Sequence, residues 1–227
     1  SMFVPNGIET TVYGVCDSSC TDNFGVNSVT AIASFLHSHT IGVQLRLRHF
    51  RGNTELAPID ENLNYDFDFQ QFVPINRTIQ AGDSMLTECY YDSRSRDEIT
   101  LAGEATTEEM CLAFLMVYPA PNVATCESAK FNAYDADGGQ NPRFKWLNEA
   151  NSKGYVVDPG TMKVLNMSKP GAIELYNQYT IDTSNTYYET VSRCLGSHSN
   201  NQFYPIDISP FFSGFIPYNE TDPECSI

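Results

Sequence analysis

Two of the four histidines stand two positions apart, as His37-Ser38-His39. On an extended strand, residues i and i+2 point to the same face, so both imidazoles can reach one metal ion. The pair alone is a weak signal, because two unrelated strand histidines look the same. Thr107-Glu108-Glu109-Met110-Cys111 adds a methionine at the head of an apolar run. Most methionines placed so are core. Beside two imidazoles, however, a thioether completes a soft donor set that suits Cu(I) and is rarely taken by zinc or harder cations. The candidate ligands are therefore His37, His39 and Met110. His49 shares a strand face with His37 and His39 but lies about 33 Å from His39 along an extended chain, so it reads as core or pocket wall. His198 has no such neighbour.

The elements that must position these groups are strands. Val43, Leu45, Leu47 and His49 alternate with Gln44, Arg46 and Arg48, a strand with one face in a core. Arg51-Gly52-Asn53 and Ala81-Gly82-Asp83 read as turns. Tyr65 to Phe72 alternates aromatic with acidic or polar residues and is predicted to be a half-buried strand; Ser84 to Tyr91 is another. Ile99 to Gly103 is short and extended. Met110 to Tyr118 (MCLAFLMVY) has the length and composition of a buried strand. Beyond Pro119 and Pro121, Asn141 to Asn151 suits a short helix with Asn141 as N-cap and Pro142 at the first helical position. Residues 153–227 are irregular. The expected fold is all-β, an antiparallel jelly-roll-like β-sandwich over residues 3–126. Residues 127–227 form an irregular C-terminal extension with one short helix, packed on the same domain and a candidate region for homo-oligomer contacts.

Composition narrows the function. The 227 residues carry 28 acidic and 13 basic side chains, a net charge of −15. That field repels phosphate backbones and argues against nucleic-acid binding. No apolar run reaches the ~20 residues of a membrane-spanning helix. Seven cysteines without any CxxC pair point to disulfides in an oxidising compartment, hence to secretion or the secretory-pathway lumen. The sequons at Asn76, Asn166 and Asn219 are candidate glycosylation sites, although a chain this rich in Asn, Ser and Thr produces such triplets by chance.

The motifs taken together resemble a family. His37-Ser38-His39-Thr40-Ile41-Gly42 is similar to the HxHxxG strand of the copper type II, ascorbate-dependent monooxygenases. Ala102-Gly103-Glu104-Ala105-Thr106-Thr107-Glu108-Glu109-Met110-Cys111 resembles their GGxxxxxEMC segment. The segments Leu45 to Arg51 and Gly82 to Cys89 are similar to the dopamine β-hydroxylase and DBH-like branch. The resemblance implies the second of two β-sandwich domains, the one holding the oxygen-activating copper on His37, His39 and Met110. Ascorbate would be the reductant and molecular oxygen the co-substrate. The first domain, with its electron-transfer copper, would then be a partner outside this chain, and the fragment alone would be inactive. The family's bridges imply Cys89–Cys111. They also imply one of Cys16 and Cys20 joined to Cys126 and the other to Cys194, read here as Cys16–Cys126 and Cys20–Cys194 with the exchange left open. Cys225 would be unpaired or joined to the region outside the chain.

The departures bear on substrate. The family's first glycine is Ala102. Peptide-amidating members carry an arginine where this chain has Phe35, and an asparagine and a tyrosine where it has Leu112 and Phe114. A peptide-glycine substrate is thereby poorly supported; Phe35, Leu112 and Phe114 suit an apolar group, and the branch implies a small amine. Two other readings compete. One is a copper-binding or interaction module without turnover. The other is a cupin-like Fe(II) oxygenase, against which Val43 and Gln44 stand where a cupin places its glutamate.

Overall fold

The computed structural model describes residues 3, 4, 6–98, 100–129, 190–196 and 204–206. The elements are β1 (Phe3–Val4), β2 (Glu9–Cys16), α1 (Ser18–Thr21), β3 (Ser28–His37), β4 (Gly42–Arg51), β5 (Thr54–Asn62), β6 (Val73–Gln80), β7 (Asp83–Asp92), β8 (Thr100–Leu101), β9 (Leu112–Tyr118), β10 (Val123–Ala129), β11 (Thr190–Gly196) and β12 (Tyr204–Ile206). A 3-10 turn, Phe67–Phe69, follows β5.

One four-stranded sheet has the order β2-β7-β4-β5 and one three-stranded sheet the order β6-β3-β9. All strand pairs in both are antiparallel. Between them lies the core. Val12, Leu45, Leu47, Cys89 and Tyr91 of the first sheet meet Val29, Ala31, Leu36 and Ile79 of the second. The fold is therefore an all-β sandwich, as the period-two patterning requires. β10 pairs with β11, and β11 with β12. Disulfides Cys16–Cys126 and Cys20–Cys194 fasten the end of β2 and helix α1 to that small sheet. Cys89–Cys111 joins β7 to the residue before β9, and so ties one sheet to the other.

Three elements differ from the sequence reading. Val43 is exposed, unlike Leu45, Leu47 and His49 on the face it was expected to share, because the register shifts between Gly42 and Gln44. Met110 to Tyr118 is not buried on both sides: Leu112, Phe114, Met116 and Tyr118 are exposed, since alternate residues of β9 point away from the core, on a sheet whose central strand also exposes Ile32. Tyr65 to Phe72 is no strand; the Asp66 carboxylate accepts the Asp68 N–H and starts the 3-10 turn instead. The expected helix Asn141 to Asn151, His198, Cys225, Asn166 and Asn219 lie outside the described residues.

His49 is core. It is 2% exposed, and its Nε2–H donates to Asp83 Oδ2 at 2.7 Å. Arg51 donates to both Asp83 oxygens at 2.8 Å. Burial alone would raise the Asp83 carboxyl, but the Arg51 and His49 hydrogen bonds outweigh it and hold the group at about 2.

Candidate metal centre

His37 is the last residue of β3, and His39 lies just past it in the tight connection to β4. Their ring centroids are 5.1 Å apart and the planes meet at 77°. Each ring is held at Nδ1. His37 Nδ1–H donates to Gln70 Oε1 at 2.6 Å, and His39 Nδ1–H donates to the Glu108 carbonyl at 2.9 Å. A neutral imidazole with Nδ1–H so engaged carries its free lone pair on Nε2. That is the arrangement metal-ligating histidines use.

Glu109 builds the loop that presents them, a role the sequence reading did not assign. Its side chain is fully buried at 0% exposure. Oε2 accepts from Ser38 Oγ and the His39 N–H, both at 2.8 Å, and from the Met110 N–H at 3.3 Å. Oε1 accepts the Ile41 N–H at 2.9 Å. Four donors thus converge on one buried side chain, which satisfies its oxygens where no water reaches them. The acid preceding the methionine therefore organises the segment carrying the histidines.

Two glycines make room for this. A Cβ on Gly42 would fall 2.7 Å from Ser38 Cβ and clash with Ser38 Oγ, which cannot swing away without leaving Glu109. A Cβ on Gly103 would run into the Glu108 carboxylate, which accepts the Ala105 N–H at 3.0 Å. The 102–109 loop closes on itself through Glu109 N–H to Leu101 O and Gly103 N–H to Glu109 O. Both glycines answer a close approach rather than a special φ.

Met110 follows directly. Its carbonyl accepts the Tyr91 hydroxyl at 2.8 Å, and the disulfide at Cys111 anchors the next residue. In the β3–β9 register His37 faces Leu112, two residues beyond Met110, and His39 is tethered to Glu108, two residues before it. Met110 lines a cleft of about 640 Å³ between β9 and β2; neither histidine borders that cleft.

Phe35 stacks on His37 with centroids 5.8 Å apart, and on Phe72 at 5.0 Å; Phe114 is 5.9 Å away. Leu112 and Phe114 are exposed on the same outward face. Phe72 joins this wall although sequence placed it on a strand. Its signal was only the aromatic density of Tyr65 to Phe72. Among the described residues, the His, Cys, Asp and Glu side chains that come three together within reach of one ion are Cys16, Cys20 and Cys126, and all three sulfurs are spent in disulfides.

The donor types suit copper, two imidazoles held at Nδ1 and one thioether, although Met110 lines a cleft that neither histidine borders. Residues 1–136 match the family described as "Copper type II ascorbate-dependent monooxygenase, C-terminal domain". The chain belongs to this family. It is 38% identical over 104 residues to DBH-like monooxygenase protein 1 of Homo sapiens, covering 45% of this chain and 17% of that protein. It is 32% identical over 132 residues to tyramine beta-hydroxylase of Caenorhabditis briggsae, covering 57% and 22%. DBH-like monooxygenase protein 2 of Mus musculus is 33% identical over 130 residues, covering 55% and 21%. The chain thus spans about a fifth of the length of these curated relatives. Among the described residues no helix is long and apolar enough to cross a membrane.

Proposed function

We propose that this chain is the oxygen-activating copper domain of an ascorbate-dependent monooxygenase, with His37, His39 and Met110 as the ligands. The observation that carries the reading is the pair of imidazoles held at Nδ1 by Gln70 and the Glu108 carbonyl. Copper bound there supplies oxygen reduction and removal of a hydrogen atom from a substrate C–H bond, with ascorbate as the electron source. The chain's own residues fix the ligands and keep one flank apolar. Phe35, Phe114 and Leu112, now joined by Phe72, form a wall beside His37 that suits an aryl or alkyl group. A relative's name includes tyramine, and a small amine is the substrate class carried over to this chain.

Residues 3–126 form the catalytic unit in this reading, and residues 127–227 extend it. Turnover requires the further domain that the relatives' greater length accommodates. Three disulfides support a secreted or luminal setting. Asn76 of the Asn76-Arg77-Thr78 sequon is exposed on β6 and is the glycosylation candidate among the described residues. The test is oxygen uptake by the full-length protein with ascorbate and a panel of small aryl amines. Substrate-dependent uptake abolished by Met110→Ile supports the reading. Copper binding without any uptake would reduce the domain to a binding module.

A further inference from the structure

We propose that Tyr65 and Gln70, on the connection between β5 and β6, are positioning residues that fix His37 as its Nδ1–H tautomer and hold the two histidine arms in register. The proposal rests on the copper reading only for what the free Nε2 then does.

The argument begins at Ser38, the residue between the two histidines. β3 ends at His37, so the Ser38 peptide groups have left the ladder while the residue remains fully buried at 0% exposure. Buried peptide groups need partners. One hydroxyl supplies both: Tyr65 Oη accepts the Ser38 N–H at 3.1 Å and donates its proton to the Ser38 carbonyl. A tyrosine hydroxyl can do this because it is donor and acceptor at once. Tyr65 is 6% exposed and its own N–H is bonded to Val43 O at 2.9 Å, so the hydroxyl is held by a fixed frame. Burial raises its pKa, which keeps the proton that the Ser38 carbonyl requires.

Gln70 lies five residues on, across the 3-10 turn. Its Oε1 sits 3.4 Å from Tyr65 Oη and 2.6 Å from His37 Nδ1. The same short connection touches the other histidine, for Phe67 meets the His39 ring edge-on at 5.9 Å. One ten-residue connection thus grips His37, Ser38 and His39. Glu109 grips Ser38 and the His39 backbone from the 102–109 loop. The Glu108 carbonyl holds the His39 ring, and Gln70 supplies the corresponding hold on His37.

The test uses the full 227-residue chain. Long-range nitrogen–proton NMR of the imidazoles, metal-free and at a pH where they are neutral, reports the tautomer. Cu(I) affinity by chelator competition reports the consequence, and urea unfolding controls for stability. Wild type and Gln70→Glu, which keeps an acceptor, should show the Nδ1–H form at His37. Gln70→Leu should shift His37 toward the Nε2–H form and weaken Cu(I) about 10- to 100-fold with little change in the unfolding midpoint. Tyr65→Phe should lower amide protection at Ser38 and weaken Cu(I) to a similar degree. Should Tyr65→Phe fail to fold, the two Gln70 variants still decide. A Gln70→Leu protein with the wild-type tautomer and Cu(I) affinity within twofold overturns the proposal. A wild type that holds the Nδ1–H form yet binds no Cu(I) overturns the copper reading instead and leaves the positioning role supported.

Discussion

Glu109 and His39 are joined by a 2.8 Å hydrogen bond from the His39 backbone N–H to the Glu109 carboxylate, and the carbonyl just before Glu109 takes the same histidine's Nδ1–H at 2.9 Å. One dipeptide therefore fixes both the main chain and the ring of a candidate ligand. The third candidate, Met110, is the next residue along. Candidate ligands far apart in sequence are thus tied through one buried side chain, which accepts the backbone N–H of both His39 and Met110.

Glu109→Gln tests that clamp. An amide offers one acceptor where the carboxylate offers two, so an NH₂ group would face either the Ile41 N–H or the donors from Ser38 and His39. A buried donor left without an acceptor costs about 1–3 kcal/mol. Urea unfolding of the metal-free variant should show a loss of that size.

Gly42→Ala should destabilise the chain by about 1–3 kcal/mol, the usual cost of overpacking. The added methyl meets Ser38, whose hydroxyl is committed to Glu109. Cu(I) affinity should fall as well, because Ser38 lies between the histidines. A variant with wild-type unfolding and affinity would show that the loop has slack.

Cys89–Cys111 closes a 22-residue separation directly beside Met110. Replacing both cysteines by alanine should cost about 3 kcal/mol. Cu(I) affinity should drop more than it does when Cys16 and Cys126 are replaced, since that bridge lies at the far end of β2. Equal effects on affinity would mean that the Met110 neighbourhood gains nothing particular from its bridge.

Acid should act through Asp83. Its carboxyl is held at about 2 against an ordinary 3.8, so its contribution is complete above the unfolded value and fades as pH falls toward about 2. The shift corresponds to about 2 kcal/mol. Between neutral pH and pH 2, unfolding free energy should fall by about that much more in wild type than in Asp83→Asn.

The sandwich was legible because period-two patterning over β4 and β7 is a local signal that burial enforces. The proximity of the histidines followed from their spacing, but not by the rule of a shared strand face: β3 ends at His37, His39 lies in the connection beyond it, and the rings are held by Gln70 and the Glu108 carbonyl. Val43 shows the limit of that rule: one β-bulge resets the alternation, and nothing in the residue types announces it. Tyr65 to Phe72 shows another. Its alternation satisfied the strand template, yet Asp66 captures the Asp68 N–H locally, and the aromatics spend themselves on Ser38, His39 and Phe35. Glu109 looked like one acid in an acidic run, because what distinguishes it is burial among donors from a segment about 70 positions away.

The most direct test is copper stoichiometry under ascorbate, by metal analysis after dialysis, for the native chain and for His37→Ala and Met110→Ile. The account predicts one Cu(I) per native chain and weakened retention in both variants, with their apo folds intact. No copper on the native chain, or copper indifferent to both substitutions, would contradict it.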